Sequence, residues 1–342
     1  MLCVGTNLEH RVPEDFLNLS GEEQADIFQT WAAKLGRRPE HLEKDVWICW
    51  VLQNLFGMPQ RLPMAFKGGT SLSKVFDAIR RFSEDVDVTI DYRALDATIN
   101  PFAPELSKTQ QKKFSETLKT RLKEHTHDVV LPYFATLLAP IAKREEPIEL
   151  SEDGESMRIY YPSVFRDGEM VLVEFGGRNT TEPNEEYSLR PYIAEAIKEL
   201  KFQSAKVRVL SPLRTFWEKA TLIHVECYRP EPRMDANRLS RHWSDLAALA
   251  DHDIGKRSLS DRALLDDVVK HKKVFYYTAH ANYDACLAGQ LRLAPEGELL
   301  DALNIDFGKM IEAKMFDTEP LGFDKIVSRL KALEREINGR DR

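Results

Sequence analysis

Two stretches, Phe66-Lys67-Gly68-Gly69-Thr70-Ser71 and Ser83-Glu84-Asp85-Val86-Asp87-Val88, decide how the chain reads. The first joins an apolar run to two glycines and two hydroxyls. The second sets two carboxylates one residue apart among alternating apolar residues. In a strand, side chains i and i+2 share a face, so Asp85 and Asp87 point one way while Val86 and Val88 point into a core. Neighbouring carboxylates repel unless a positive charge stands between them. A divalent ion supplies that charge, and oxygen ligands of this kind suit Mg²⁺ (or Mn²⁺) held against the phosphates of a substrate.

Between the two stretches, Leu72, Val75, Phe76 and Ile79 recur at helical spacing and predict a helix from Ser71 to Arg81. The order is therefore strand, Gly-Gly-Thr-Ser, helix, strand. Gly68 and Gly69 let the backbone approach a phosphate, Thr70 and Ser71 add hydroxyl donors, and Lys67 adds a cation. Each half alone also fits a plainer reading: a tight strand–helix turn, and a pair of solubilising acids. Together, a phosphate cradle beside two metal-binding acids is what phosphoryl or nucleotidyl transfer requires.

Upstream, Ser20 and Glu23 form a capping box for a helix from Gly21 to Leu35, and Pro39 opens a second helix to about Phe56. Residues 1–19 read as irregular. Downstream, a long polar helix is expected over 107–139, kinked or split at Pro132. Ser156–Tyr161 and Met170–Phe175 read as an antiparallel pair about the Asp167-Gly168 turn. A short helix over 191–200 and a strand over 206–210 follow. After Ser211-Pro212 the chain turns helical, with a proline-rich loop at 229–237, a helix from about Arg238, and further helices near 258–270, 296–314 and 322–337. The shift near 205–212 suggests two parts, 1–210 and 211–342, either as domains or as lobes sharing one core.

The 342 residues suffice for a sizeable core, and 43% apolar with 30% charged residues is ordinary for a soluble globular chain. A net charge of −7 argues against a general nucleic-acid coat while leaving room for a local basic patch. The four cysteines are scattered without zinc spacing, and Cys49 and Cys227 read as buried thiols. With no secretory pattern and no long apolar run, a cytoplasmic location without membrane contact is expected.

A third carboxylate would complete a two-metal site. Glu174, at a polar register in the apolar strand Val171–Phe175, is a candidate, with Arg178 close behind it. In the C-terminal half, Lys219 on an otherwise apolar helix and Asp245 in Arg241-His242-Trp243-Ser244-Asp245 read on their own as helix-surface residues. The histidines show no ligand spacing. No Ser-His-Asp elbow, GxxxxGK[ST] loop or GxGxxG turn is present.

Lys67–Leu72 together with Arg81–Asp87 resembles the core of the AbiEii/MenT-type nucleotidyltransferases of the DNA-polymerase-β-like superfamily, which include toxins of bacterial toxin–antitoxin and abortive-infection pairs. Thr215–Thr221, Arg241–Leu246 and Asp306-Phe307 with Met310 match as well, so the resemblance spans about residues 40 to 315. It implies an α+β fold: a mixed-sheet nucleotidyltransferase lobe, then a helical lobe, with NTP and metal in the cleft. It implies Thr70 or Ser71 on the triphosphate, Asp85 and Asp87 on metal, Lys219 on phosphates, and Asp245 completing or ordering the site, with Glu174 and Asp245 competing as third carboxylate. It implies transfer from an NTP to RNA, in some members to a tRNA 3′ end, and an antitoxin from a neighbouring gene. The Gly-Thr-Ser triplet, where Gly-Ser is commoner, leaves open which hydroxyl acts. Transfer to a protein or small molecule, or a non-catalytic binding module, are the competing readings. Lys108, Lys112, Lys113, Lys119, Arg121 and Lys123 on the long helix form a candidate RNA surface or a solvated face.

Overall fold

A computed structural model describes residues 14–231 and 237–339. Residues 1–13, which include Cys3, and the middle of the 229–237 loop lie outside the described residues. Helices α1 (Gly21–Leu35) and α2 (Pro39–Gly57) form where their caps place them. Ser20 and Glu23 bond reciprocally, Gly36 closes α1 at φ 63°, and Pro39 occupies the first turn of α2.

Seven strands form one mixed sheet: β1 (Met64–Lys67), β2 (Asp85–Asp91), β3 (Ile148–Leu150), β4 (Ser156–Tyr160), β5 (Met170–Asn179), β6 (Asn184–Leu189) and β7 (Ala205–Leu210). Their order across the sheet is β3-β4-β5-β2-β1-β7-β6. The central trio sets the register. β1 runs antiparallel to β2 with Lys67 opposite Asp87, and β2 runs parallel to β5 with Asp87 opposite Glu174. Val86 and Val88 are fully buried in the core beneath, as alternation requires. The expected β4–β5 antiparallel pair is present, although β5 continues to Asn179, and β6 is a strand that the sequence does not announce.

Three expectations are corrected. The helix after the glycines, α3 (Gly68–Lys74), begins earlier and stops well short of Arg81. Ala78 donates its N–H back to Leu72 O at 2.9 Å and Asp77 takes φ 48°, which ends the helix. Residues 80–82 then run beside 315–317, with Phe82 N–H on Met315 O at 2.8 Å. Leu72 and Ile79 still share a core, so the apolar spacing survived while the helix did not. The long polar helix is α4 (Lys108–His125), a π-helical stretch at Thr126–Val130, and α5 (Leu131–Leu138). The irregularity sits before Pro132, which occupies the first turn of α5. Of the helix expected over 191–200, only the 3₁₀ turn Tyr192–Glu195 forms.

The rest is helical, led by α6 (Pro212–Cys227), α7 (Arg241–Asp251), α8 (Arg262–Phe275), α9 (Gly297–Glu312) and α10 (Phe323–Gly339). One apolar cluster packs α2 and α5 against the sheet. Another, built by the helices after 211, takes in Leu72, Ala78 and Ile79, so packing continues across the Leu210–Pro212 junction. No described helix is long and apolar enough to cross a membrane.

Three consecutive residues on α2 tie together distant segments of the 1–210 part. Glu43 accepts from Ser163 Oγ and Val164 N–H, each at 2.7 Å. Lys44 bonds Glu84 at 2.7 Å. Asp45 takes the Lys74 ammonium at 2.6 Å on one oxygen and Tyr192 N–H at 2.6 Å on the other. Lys74 and Asp45 are both almost fully buried. Removing one partner of such a pair leaves an uncompensated charge. Asp45→Ala is therefore expected to cost about 3–5 kcal/mol, read as a lower urea midpoint at unchanged slope.

Candidate active site

Register alone sets Lys67, Asp87 and Glu174 in a row across β1, β2 and β5, with Asp85 two residues earlier on the same face. Gly68, at φ 80°, lies against Asp87 so closely that a Cβ there would meet Oδ2 at 1.9 Å. Asp87 thus stands between a cation and an anion. Burial and the neighbouring Asp87 carboxylate push the Glu174 carboxyl up to about 7. Glu174 as a whole remains solvent-exposed, so the Asp87 charge is the cause that the geometry supports most directly. Burial also raises Asp85, opposed by Arg238 and Arg241 and reinforced by Asp87. Arg241 Nη1 stands 3.4 Å from Asp85 Oδ2.

The hydroxyls of the Gly-Gly-Thr-Ser turn face inward. Thr70 Oγ1 donates to Asp85 O at 2.5 Å and lies 3.0 Å from Ser83 Oγ, while Ser71 Oγ donates to Gly68 O at 2.9 Å. Both residues are buried. Thr70 therefore fixes the start of the carboxylate strand, and Ser71 closes the glycine turn. The parts of this turn that line the cleft are Lys67, Gly68 and Gly69.

Opposite the sheet, α6 and α7 bring up a buried ion cluster. Arg81 holds Asp245 through Nε–Oδ1 at 2.7 Å and Nη2–Oδ2 at 2.8 Å, and Lys219 Nζ reaches Oδ2 at 2.9 Å. Asp245 is 1% exposed, and its two cations hold its carboxyl far below the ordinary range against the burial that would raise it. Both of its oxygens are engaged by protein cations, whereas Glu174 lies in the carboxylate row. Lys219 lies 3.4 Å from His242 Nδ1. Burial and the adjacent Lys219 and Arg241 hold this imidazole neutral, and an ammonium only donates, so Nδ1 accepts and the proton sits on Nε2.

Sequence reasoning did not single out Glu218, Arg214 or Asn179, which form the second cluster with Lys67. Glu218 accepts from Asn179 Nδ2 at 2.7 Å and Arg214 Nε at 3.3 Å, and stands 3.8 Å from Lys67 Nζ. Burial opposes its charge, but Lys67, Arg214 and Lys272 outweigh it and hold the carboxyl at about 2. Lys272 is drawn down to about 8, chiefly by burial. Arg81, Arg241, His242 and Lys272 all line the cleft of about 230 Å³ with Lys67, Asp85, Asp87 and Lys219. The clue available for Arg81 and Arg241 was their place inside the matching motifs; Lys272 lies in none. Asp306, also within a matching motif, works at a distance. It accepts from Arg238 N–H at 2.6 Å and Ser240 N–H at 2.7 Å, shaping the turn that delivers Arg241 and His242.

Among the described residues, no three His, Cys, Asp or Glu side chains are already gathered as a metal-ligating cluster. The cleft nonetheless combines two sheet carboxylates, Asp85 and Asp87, with a wall of lysines and arginines, and Glu174 stands next to Asp87 on the neighbouring strand.

The profile of the family described as nucleotidyl transferase AbiEii toxin, type IV TA system, matches residues 50–329. The chain belongs to this family. It is thus a nucleotidyltransferase of a toxin–antitoxin system, and its mixed α+β fold agrees with the expected class. Among solved structures it is similar to MenT4, a nucleotidyltransferase toxin from Mycobacterium tuberculosis H37Rv, at 17% identity and a TM-score of 0.49, covering 94% of this chain and 90% of that one. No curated protein matches the sequence significantly.

Two outcomes follow from the geometry. A Cβ at Gly69 would lie 2.6 Å from Arg81 Nη2 and 2.8 Å from Ser83 Oγ. Gly69→Ala is expected to displace the Arg81 guanidinium and lower stability by about 1–3 kcal/mol, read by urea unfolding. Glu218 is depressed in the folded state, so its stabilisation is present above pH 4.5 and is lost as pH falls towards 2. Denaturation curves across that window should show Glu218→Gln least stable relative to wild type near neutrality, with the gap closing in acid.

Proposed function

We propose that this enzyme transfers a nucleotide from an NTP to the 3′-hydroxyl of an RNA, with tRNA as the expected acceptor, and that an antitoxin partner restrains it. The observation that carries the reading is that Asp85 and Asp87, with Glu174 beside Asp87 on the next strand, bring carboxylates to a cleft that Asp85 and Asp87 line together with Lys67, Lys219, Arg241 and Lys272. The donor set fits a divalent ion. Its oxygens are carboxylates, as Mg²⁺ or Mn²⁺ prefers, and Gly68 keeps any side chain away from Asp87. Asp85 and Asp87 would hold the ion, with Glu174 as the third carboxylate. When bound, it neutralises charge developing on the transferred phosphate.

The chain's own groups supply the rest. Lys67, Arg241 and Lys272 bind the phosphates, with Lys219 alongside, and Asp245 positions Arg81 and Lys219. The RNA 3′ oxygen bonds to the α-phosphorus as the bond to the bridging oxygen breaks, and pyrophosphate leaves with that oxygen. The hydroxyl proton passes to Glu174, the carboxylate beside Asp87 on the neighbouring strand. Gly68 and Gly69 keep the backbone low beneath the phosphates.

Incubation with each α-labelled NTP, Mg²⁺, total RNA and cell protein tests this reading. Label on RNA with release of pyrophosphate is expected. Label on protein instead would replace the acceptor assignment, and no transfer with any NTP would overturn the reading. Asp87→Asn is expected to lower the transfer rate more than ~100-fold at an unchanged melting temperature, and chelation of the divalent ion should do the same to wild type.

A further inference from the structure

Beside the cleft lies a groove of about 500 Å³ between the N-terminal half of α4 and the end of α8. Lys108, Lys112, Arg178 and Lys273 line it together with Tyr277 and one acid, Glu116, which pairs with Lys119 at 3.0 Å. Tyr277 is 63% exposed, an unusual position for a large aromatic in a monomer surface. Lys108 Nζ lies 5.2 Å from its ring centre. Among the described residues, Lys108 and Lys112 have no carboxylate at ion-pair distance, whereas Lys119 and Arg121 further along α4 pair with Glu116 and Glu124. Arg178 and Lys273 are partly engaged, by Glu155 at 3.4 Å and Asp284 at 2.5 Å. Of the lysine face expected from sequence, Lys119 and Arg121 are thus paired within α4, and Lys108 and Lys112 are the members that line this groove.

The groove is joined to the chemistry by two links. Glu174, Gly176 and Arg178 alternate along β5 onto one face, so the strand leads from the carboxylate row to the groove with only a glycine between. Tyr276 bridges the same gap, with Arg178 at 5.0 Å and Lys272 at 4.8 Å from its ring centre. Lys272 also lines the cleft.

We propose that this groove holds the single-stranded 3′-terminal nucleotides of the acceptor, an inference that rests on RNA being the acceptor. Unpaired lysines match successive phosphates, and an exposed tyrosine offers a base a stacking surface. The pairing of the two favours a nucleic acid strand over an acidic protein, which needs the charge but not the ring. In a chain of net charge −7, the groove gives a polyanion a local approach to the site.

The test is equilibrium binding of a fluorescent single-stranded RNA with a free 3′-hydroxyl to the full chain, with NTP binding measured separately. The Lys108→Ala/Lys112→Ala pair is expected to weaken RNA binding about tenfold and to reduce the slope of log affinity against log salt by about 1.4. Tyr277→Ala should weaken binding at least fivefold. NTP affinity and melting temperature should be unchanged, since all three side chains are exposed and outside the cleft. RNA binding that is intact in both variants overturns the groove assignment while leaving the acceptor reading in place. Loss from the lysine pair with Tyr277→Ala neutral overturns the stacked strand and points to a purely electrostatic partner such as an acidic protein. A wild type that binds no RNA overturns the acceptor reading and the groove with it.

Discussion

The Arg81–Asp245–Lys219 cluster is the contact on which the site's geometry depends. Arg81 closes the segment between the glycine turn and the carboxylate strand, Asp245 comes from α7, and Lys219 from α6. A buried carboxylate between two cations is tolerable only when its lone pairs are met, and here both oxygens accept. The bidentate Arg81 fork fixes orientation as well as distance, which a point-like ammonium would not do. Its demand is felt on the sheet side too, because the guanidinium fills the space over Gly69 that any larger residue would claim. The early end of α3, fixed by the Ala78 bond to Leu72 O and the turn at Asp77, leaves Arg81 outside the helix, where it meets α7.

The cluster also explains a division among the acids. Asp245 is neutralised by protein, and excess positive charge from Arg81 and Lys219 remains beside the cleft. Glu218 is likewise held by Lys67, Arg214 and Lys272. Asp85, Asp87 and Glu174 are less fully compensated: Arg241 approaches Asp85 at 3.4 Å, and Glu174 has Asp87 for a neighbour. Two satisfied acids hold the wall in place, while three incompletely satisfied ones share the sheet face. The proposal that a divalent ion joins the second group rests on this contrast, as does the proposed choice of Glu174 over Asp245 as third carboxylate.

Local signals carried the fold where local physics decides it. The Ser20–Glu23 box, Pro39, Pro212 and the alternation through Val86 and Val88 each determine their element within a few residues, and the structure follows them. They failed where a distant partner intervenes. Nothing near Arg81 says that Asp245 lies across the cleft, and nothing in the sequence pairs Asp87 with Glu174 until β2 and β5 are known to be neighbours. Asp85, Asp87, Lys219 and Asp245 were legible because they sit in recognisable motifs. Glu218 was hidden beside a lysine that drew the attention, and Lys272 on an ordinary amphipathic helix. The inward turn of Thr70 and Ser71 was equally illegible, because a hydroxyl beside two glycines reads the same whether it faces phosphate or the strand behind it.

The remaining tension is between an acidic chain and polyanionic substrates. It is resolved by segregation rather than by sum. The cations that line the cleft come from five separate elements, with Lys67 on β1, Arg81 before β2, Lys219 on α6, Arg241 on α7 and Lys272 on α8. None forms a run that charge counting along the sequence would reveal. Conversely, the one visible run, on α4, is largely neutralised by its own helix neighbours beyond its first turns. Potential at a concave site depends on which charges the walls bring together and which they leave paired. In this fold the sheet supplies the less fully compensated anions and the helices most of the cations, so only their docking through Arg81 and Asp245 creates a field suited to a triphosphate.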